Sequence, residues 1–437
     1  MIGAPRVLVV ARYGDAEQAG RVVRSLAGQT YSNAGLVFIC APAAKNSPSP
    51  DRSLPTCRPN ELGAWIKKSG AEAILFWPQE GDLKPAALEK LVLALQLTPD
   101  QNGVADSARG STGLWLARNI EAMRTLIRLW PVSQLDWISE CQKNHPALFY
   151  IDENLLDHSG DLAPCRPYAV EDHFHRLLPL KENYQDIPVD PIWPLPETKT
   201  DDRSVLILIS CLPMGGACKF ILDVAGQLKS RGYRVMVATT LYSTHNPNPW
   251  LDELLKIIPD VFVLPNVRPT EVPRLIVHLA RSRGCGRVII SHSMLGYQLL
   301  PWLRRQLPDV SFLDYTHIEY ESEYPNGGYA QRSVSNQALL DISMVSSRHL
   351  RDWMTAAGAE ADNLRVCSTN IDTEKWTPDP KAREEDRRTL GIAPGTALIL
   401  YPCRIAEQKR PELMCNIVAG LRRAQAGHNQ ANQDLLV

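Results

Sequence analysis

Short runs of aliphatic and β-branched residues alternate with stretches of helical periodicity along most of the chain. From the start come the apolar run RVLVVAR, a helical pattern over 16–27, the runs LVFIC and AILFW, and a second helical pattern over 86–95. Runs this short and this continuously apolar suit strands buried on both faces, with the intervening segments as covering helices. The alternation predicts an α/β fold of Rossmann-like, doubly wound parallel sheets.

The texture changes between 161 and 202, where Pro164, Pro167, Pro179, Pro188, Pro191, Pro194 and Pro196 lead into the polar run ETKTDD. Prolines at this density remove ladder donors and fix φ, so 166–203 reads as a linker after a first domain over 1–165. The alternation then resumes with VLILIS, a helix over 216–230, RVMVATT, WLDELLKII, VFVLP, a helix over 271–281 and RVIIS. A helix over 297–306, SFLDYTH, a helix over 334–340, ISMVSS, a helix over 349–357 and NLRVCS follow, which predicts a complete doubly wound domain over 204–370. A last unit over 371–437 contains a helix over 382–390, the strand ALILYPC, a helix over 411–424 and the closing run QDLLV. About two strands can hardly bury their own faces, so the sequence is expected to stop inside this unit.

Bulk properties narrow the functions available. A chain of 437 residues calls for about two or three cores. Its formal charge of −1 supplies no general field for nucleic acid, and none is expected as a partner. No apolar run approaches the roughly 18 residues that span a bilayer, and the opening MIGAPRVLVVARYGD reads as strand and turn, not as a leader. The 10 cysteines form no C-x-x-C pair and several sit in apolar strands, which favours reduced thiols over a metal site. A cytoplasmic protein is expected, compatible with peripheral association with a membrane, and with no bound metal or cofactor.

Three constellations carry candidate chemistry. Pro213-Met214-Gly215-Gly216-Ala217-Cys218-Lys219-Phe220 lies between a buried strand and an amphipathic helix. Paired glycines allow close backbone approach, and the helix N-terminus offers unpaired N–H groups to an anion, although a plain tight turn has the same residues. Arg404-Ile405-Ala406-Glu407-Gln408-Lys409-Arg410-Pro411 follows another buried strand. There a guanidinium and an ammonium beside a helix start would neutralise a diphosphate without metal, whereas in isolation the same run is a solvated basic loop. His292 in IISHS and His317 in DYTHIEY fall at the carboxyl ends of successive predicted strands, where open α/β sheets bind ligands. An imidazole in that position hydrogen-bonds a sugar hydroxyl or takes a proton, though a structural histidine is the alternative at each.

These motifs resemble glycosyltransferase family 4 over about 204–437. GGACKFILDVAGQLKSRGYRVMVATT is similar to that family's first glycine loop, helix and second strand, with Cys218 where an acidic residue is usual. NIDTEKWTPDP resembles its interdomain turn, with Ile371 in place of a Gly-Val pair, and PCRIAEQKRPE resembles its donor-phosphate loop. The resemblance implies a GT-B fold whose acceptor-side domain is 204–370 and whose donor-binding domain is only partly represented by 371–437. It implies a retaining glycosyltransferase that moves a sugar from a nucleotide-sugar donor to a hydroxyl of a glycan or glycoconjugate. Arg404 and Lys409 would contact the donor diphosphate, Gly215 and Gly216 would frame the cleft, and His317 would be the catalytic histidine near the transferred sugar. His292 would contact acceptor or sugar. The family's Glu-x7-Glu carboxylates lie beyond the donor loop, past the last residue here.

The first 165 residues resemble glycosyltransferase family 2, a GT-A fold, through SLAGQTYSN and the strand LVFIC. The family's acidic residues after that strand are replaced by Ala41-Pro42-Ala43, and its Asp-x-Asp by Pro78-Gln79-Glu80, while Asp136 is a loose match to the catalytic base. Glu80 or Asp82 alone cannot hold a divalent ion between diphosphate oxygens, so a degenerate, non-catalytic domain is expected. Two rivals stand beside the transferase reading: an inactive glycosyltransferase-like binding or scaffold module, and a nicotinamide oxidoreductase, against which the missing G-x-G-x-x-G counts.

Overall fold

The computed structural model describes residues 4–13, 15–40, 54–58, 61–77, 81–98, 103–105, 115–117, 148–150, 156–157, 187, 189–195, 199–241, 248–319, 328–369, 371–393, 395–403, 405, 409–427 and 435–436. The chain divides into two compact units, the first over 1–319 and 326–368 and the second over 320–325 and 369–437.

The first unit contains two seven-stranded sheets. One is built from β1 (Val7–Tyr13), β2 (Ala34–Cys40), β3 (Thr56–Cys57), β4 (Ala73–Trp77), β6 (Gly103–Ala105), β7 (Trp115–Ala117) and β8 (Leu148–Tyr150), in the order β3-β2-β1-β4-β7-β6-β8. The short pair β5 (Asp82–Leu83) and β9 (Leu156–Asp157) stands apart from it. Strands β3, β2, β1 and β4 are parallel, but β7 runs antiparallel to both β4 and β6, so this sheet is mixed where the apolar runs predicted a parallel one. The helices α1 (Ala16–Ala27), α2 (Leu62–Ser69) and α3 (Ala87–Leu97) accompany it.

The other sheet is parallel throughout. It contains β10 (Asp201–Ile209), β11 (Arg234–Thr239), β12 (Asp260–Val263), β13 (Cys285–Ser291), β14 (Ser311–Thr316), β15 (Ile342–Val345) and β16 (Leu364–Val366), in the order β12-β11-β10-β13-β14-β15-β16. Its helices are α4 (Gly216–Ser230), α5 (Leu251–Ile257), α6 (Val272–Ser282), α7 (Met294–Gln306), α8 (Gly328–Asn336) and α9 (Arg348–Ala356). The strand order reverses between β10 and β13, and at such a switch point the connections leave in opposite directions and open a crevice at the strands' carboxyl ends.

Alternation along β10 explains the layering. Val205, Ile207 and Ile209 face α4 and α5, while Leu206 and Leu208 join the core under α6 and α7. Helix α4 presents Cys218, Ile221, Leu222 and Ala225, the i, i+3, i+4, i+7 stripe of a 3.6-residue period. Ile221 is 1 % exposed, worth about 1.5–3 kcal/mol by removal of apolar area from water, and an aspartate there would end the packing. The helix stops at Gly232, whose φ of 79° suits glycine, with the Tyr233 N–H donating back to the Leu228 carbonyl at 3.0 Å. Gly286 has a different necessity: a Cβ there would lie 2.5 Å from the Asp201 carbonyl oxygen of the neighbouring strand.

The two sheets share one hydrophobic core. Helix α3 is buried on nearly every side, Glu89 and Lys90 included. The Arg283 guanidinium grips Glu89 through two hydrogen bonds of 2.6 and 2.7 Å and reaches Asp260 at 3.0 Å. Trp193, from the proline-rich segment, sets its ring 4.3 Å from His278 and 6.0 Å from Tyr31. The segment read as a linker is therefore partly wedged into the protein.

The second unit contains α10 (Pro380–Thr389), the parallel pair β17 (Ala397–Leu398) and β18 (Leu435–Leu436), and α11 (Pro411–Gly427). Asp379 caps α10 by accepting from the N–H groups of Lys381 and Ala382, both at 3.0 Å. Ile392 and Val418 are buried, while Trp376, Leu390, Leu400 and Ile405 are exposed. Among the described residues no helix is long and apolar enough to cross a membrane. Cys57, Cys211, Cys218, Cys285, Cys367, Cys403 and Cys415 are free thiols.

Candidate functional site

Three connections meet at the carboxyl ends of β10, β13 and β14. After β10 the chain passes Met214, Gly215 and Gly216, all exposed, and enters α4. No side chain caps α4 and its first turn has no acidic residue, so its amide dipole is left for a ligand. Gly215 is extended, a conformation open to any residue, and a Cβ at Gly215 or Gly216 would meet nothing within 4 Å. Backbone geometry does not demand these glycines, and what they keep free is the space in front of the helix. Cys218 faces inward: burial, and Cys211 beside it, push its thiol up to about 12, and it donates to the Cys211 carbonyl at 3.4 Å.

After β13 the backbone turns sharply at His292, whose φ of 52° lies in the left-handed region that few residues other than glycine adopt. Ser293 then caps α7 by accepting from the Gly296 N–H at 3.0 Å, and its hydroxyl lies 2.7 Å from that of Thr240 at the end of β11. After β14 comes His317, whose carbonyl accepts from the Ser346 hydroxyl at 2.5 Å. Both histidines thus occupy the strand ends predicted for them, and the fold brings their rings together at 4.5 Å and an interplanar angle of 60°.

Aromatic rings enclose the pair. Tyr329 stacks on His292 at 4.8 Å and 17°, and His317 stands edge-on to Phe220 at 5.2 Å and to Tyr315 at 4.6 Å. Burial pushes His292 down to about 4. Burial, with a smaller contribution from His292, pushes His317 down to about 3. Both imidazoles are therefore neutral near pH 7, each with a nitrogen that donates and one that accepts. Nε2 of both rings is buried without a hydrogen bond, as are the hydroxyls of Thr239 and Ser291 at neighbouring strand ends. Buried polar groups seldom go unpaired, and these four lie at the carboxyl ends of β11, β13 and β14.

Phe220, Tyr315, Tyr329 and Ser293 lie within the stretches singled out from sequence but were given no role there, and Thr240 was not singled out. The signal was present in the hydroxyl residues that close each strand, Thr239-Thr240, Ser291, Thr316 and Ser346-Ser347.

In the second unit Lys409 is exposed directly before α11, and Pro411 opens that helix as expected. Arg404, Glu80 and Asp136 lie outside the described residues, as do Pro78 and Gln79. Asp82 is described, 3.9 Å from Arg21. Among the described residues no cluster of metal-ligating side chains occurs.

No family model matches the chain. It is 23% identical over 234 residues to the D-inositol 3-phosphate glycosyltransferase of Corynebacterium glutamicum (strain R), covering 47% of this chain and 54% of the relative. It is 26% identical over 235 residues to the same-named protein of Corynebacterium jeikeium (strain K411), with the same two shares, 47% and 54%. The chain spans about half the length of these curated relatives. Among solved structures, Alr3699/HepE of Anabaena in complex with UDP aligns with a TM-score of 0.40 and 16% identity over 50% of this chain and 57% of that one. A glycosyltransferase from Rickettsia africae ESF-5 aligns with a TM-score of 0.37 and 15% identity over 48% and 54%. The proteins to which this chain is similar in sequence are glycosyltransferases, at low identity, and its own fold is mixed α/β with parallel sheets.

Proposed function

We propose that the chain belongs to a retaining glycosyltransferase that moves a sugar from a nucleotide-sugar to an acceptor hydroxyl. The observation that carries this reading is the pair of neutral imidazoles, His292 and His317, with unpaired buried Nε2 atoms beside the open, uncapped start of α4. The glycosyltransferase relatives, matched over half their length, support it.

In this reading the crevice at the switch point holds the acceptor and the sugar being transferred. His317 is the catalytic histidine: its neutral ring hydrogen-bonds the sugar and fixes the anomeric carbon against the incoming hydroxyl. His292 contacts a second hydroxyl. Gly215 and Gly216 let the substrate approach the α4 backbone, whose N–H groups face negative charge. Arg404 and Lys409 bind the donor diphosphate and stabilise the charge that grows on it as the glycosidic bond breaks, so catalysis is chiefly electrostatic and positional. No metal is needed for these steps by the residues in view.

A transfer and hydrolysis assay with UDP-, GDP- and ADP-sugars, and with D-inositol 3-phosphate among the acceptors, tests the reading. In an enzyme whose donor-binding domain is complete, we expect donor-dependent release of nucleoside diphosphate that His317→Ala abolishes and Lys409→Ala weakens in donor affinity by about tenfold, the scale of one charged hydrogen bond. Saturable nucleotide-sugar binding without turnover would select the inactive binding module. The absence of binding would refute both.

A further inference from the structure

Beneath the two histidines lies a polar cluster that packing alone does not require. Asp314 on β14 is fully buried, and so, to within 2 %, are Tyr297 on α7, Ser333 on α8 and Ser343 on β15. The Tyr297 hydroxyl donates to Asp314 Oδ2 at 2.8 Å, and the Ser333 hydroxyl reaches that of Ser343 at 3.4 Å. Asp314 and Ser343 are direct register partners on adjacent strands, so both side chains leave the same face of the sheet. Directed bonds thus join α7 to β14 and α8 to β15 at neighbouring positions of the sheet, where apolar packing would serve the fold.

Two of those elements carry the site above. Ser333 stands four residues after Tyr329 on α8, one turn along the same face. Tyr329 stacks on His292, and His292 is followed by the cap of α7, the helix that supplies Tyr297. A helix face of small and apolar residues could slide on the sheet, whereas the Ser333 hydroxyl, bonded to that of Ser343 beside the Asp314 carboxyl, has one seat. Asp314 itself lies three residues before His317 on the same strand and its outgoing turn.

We infer that Asp314 is a positioning residue: with Ser333, Ser343 and Tyr297 it seats α8, and thereby holds Tyr329 flat against His292 in the crevice. This rests on the reading of the crevice as the sugar site, but its test does not. The imidazole protons of His292 feel the ring current of Tyr329, so their NMR shifts report the stack directly, and Tyr329→Leu in the full chain gives the shift of an unstacked ring. We expect Ser333→Ala and Asp314→Ala to move the His292 resonance toward that value while His278, remote from the cluster, stays in place. Asp314→Asn, which retains shape and hydrogen bonding, keeps the wild-type shift. In the transfer assay the two alanine variants lose kcat by about a hundredfold, the cost of roughly 1 Å of misplacement, with KM for the donor little changed.

If folded Asp314→Ala and Ser333→Ala proteins keep the wild-type His292 shift, the cluster is merely structural and the inference is overturned. The same holds if Asp314→Asn behaves as Asp314→Ala does. A wild-type chain with no transfer would refute the sugar-site reading alone, since the ring-shift comparison decides the positioning role without substrate.

Discussion

Replacing Arg283 by methionine asks whether the two sheets of the first unit form one cooperative body. The guanidinium is 3 % exposed at its side chain, Glu89 6 % and Asp260 4 %, so solvent screening is slight at all three. Two bonds go to Glu89 and one to Asp260, and the guanidinium lies 5.1 Å from the centroid of the Phe262 ring. Methionine retains the stem and much of the packing but removes the charge. Glu89 then has the Thr30 hydroxyl at 2.6 Å, and Asp260 has Arg234 at 3.2 Å. Breaking a buried pair on one side costs about 3–5 kcal/mol, because the other charge stays in low dielectric. In a unit of this size that lowers Tm by on the order of 10 °C.

The pH dependence gives the loss its signature. Burial alone would raise the Glu89 carboxyl, but the hydrogen bonds and charge of Arg283 outweigh it and hold Glu89 below the usual range. A depressed carboxyl contributes stability above its unfolded value of about 4.3 and loses it as pH falls through the folded value. In Arg283→Met the sign reverses, since desolvation then acts unopposed and protonating Glu89 relieves the variant. Urea unfolding should therefore show the widest gap from wild type near neutral pH, narrowing toward about pH 4. Glu89→Leu combined with Arg283→Met should recover part of the loss, as removing both charges leaves less to desolvate. Hydrogen exchange over 87–97 should accelerate together with that over 260–263. A deficit under about 1 kcal/mol, or one that does not change with pH, would refute the claim that this triad binds the two sheets together.

The buried imidazoles should stay neutral well below the usual histidine range: their NMR shifts should show no inflection between about pH 5 and 8, and a midpoint near 6.5 would contradict their burial. Burial pushes Asp314 up to about 6, partly offset by the hydroxyls of Ser333, Tyr297 and Ser343, so the folded protein binds this proton more tightly than the unfolded chain. Stability from this group is full below about 3.8 and is lost as pH rises through about 6, so Asp314→Asn should gain on wild type by up to about 3 kcal/mol across that window; a constant difference would refute the shift. His292→Ala should be less stable than His292→Gly by about 1–2 kcal/mol in thermal unfolding, because only glycine is relaxed at that φ; equal stabilities would mean the turn is unstrained.

Much of the second sheet was legible because its strands are buried on both faces. Runs such as VLILIS and RVIIS carry polar residues only at their ends, and the helices between them end at glycines or begin at Ser293 and Ser347, whose capping follows local rules. The two histidines could be placed for the same reason, since their positions follow from where each strand ends. Their mutual contact could not, because a distance across β13 and β14 depends on register and on a left-handed turn at a non-glycine residue. Helix α3 was legible only in part. The pattern placed the helix but said nothing of Glu89 and Lys90, which are buried because their counter-charges and covering rings come from residues some two hundred positions away. The antiparallel β7 was likewise hidden, as WLA is too short to carry a direction.

The two ends of the second sheet differ in what their buried groups cost the fold, and the difference bears on function. Near Arg283 the guanidinium nitrogens Nη1 and Nη2 and both Glu89 oxygens are paired, so the buried charges answer one another, although Arg283 Nε and both ring nitrogens of the nearby His278 are buried without hydrogen bonds. At the carboxyl end, His292 sits in a backbone region that costs about 1–3 kcal/mol, Asp314 is a carboxyl buried at the expense of stability near neutral pH, and the Nε2 atoms of His292 and His317 are buried without hydrogen bonds. Glycine at 292, asparagine at 314 and apolar residues at the ring positions would each serve the fold as well or better. A fold chosen for stability alone would not gather all of these departures at the switch point of one sheet, beside the uncapped start of α4. Their coincidence with the crevice that the topology opens is the reason to seek the substrate there, and it would hold even if the sugar proved to be one that none of the relatives uses.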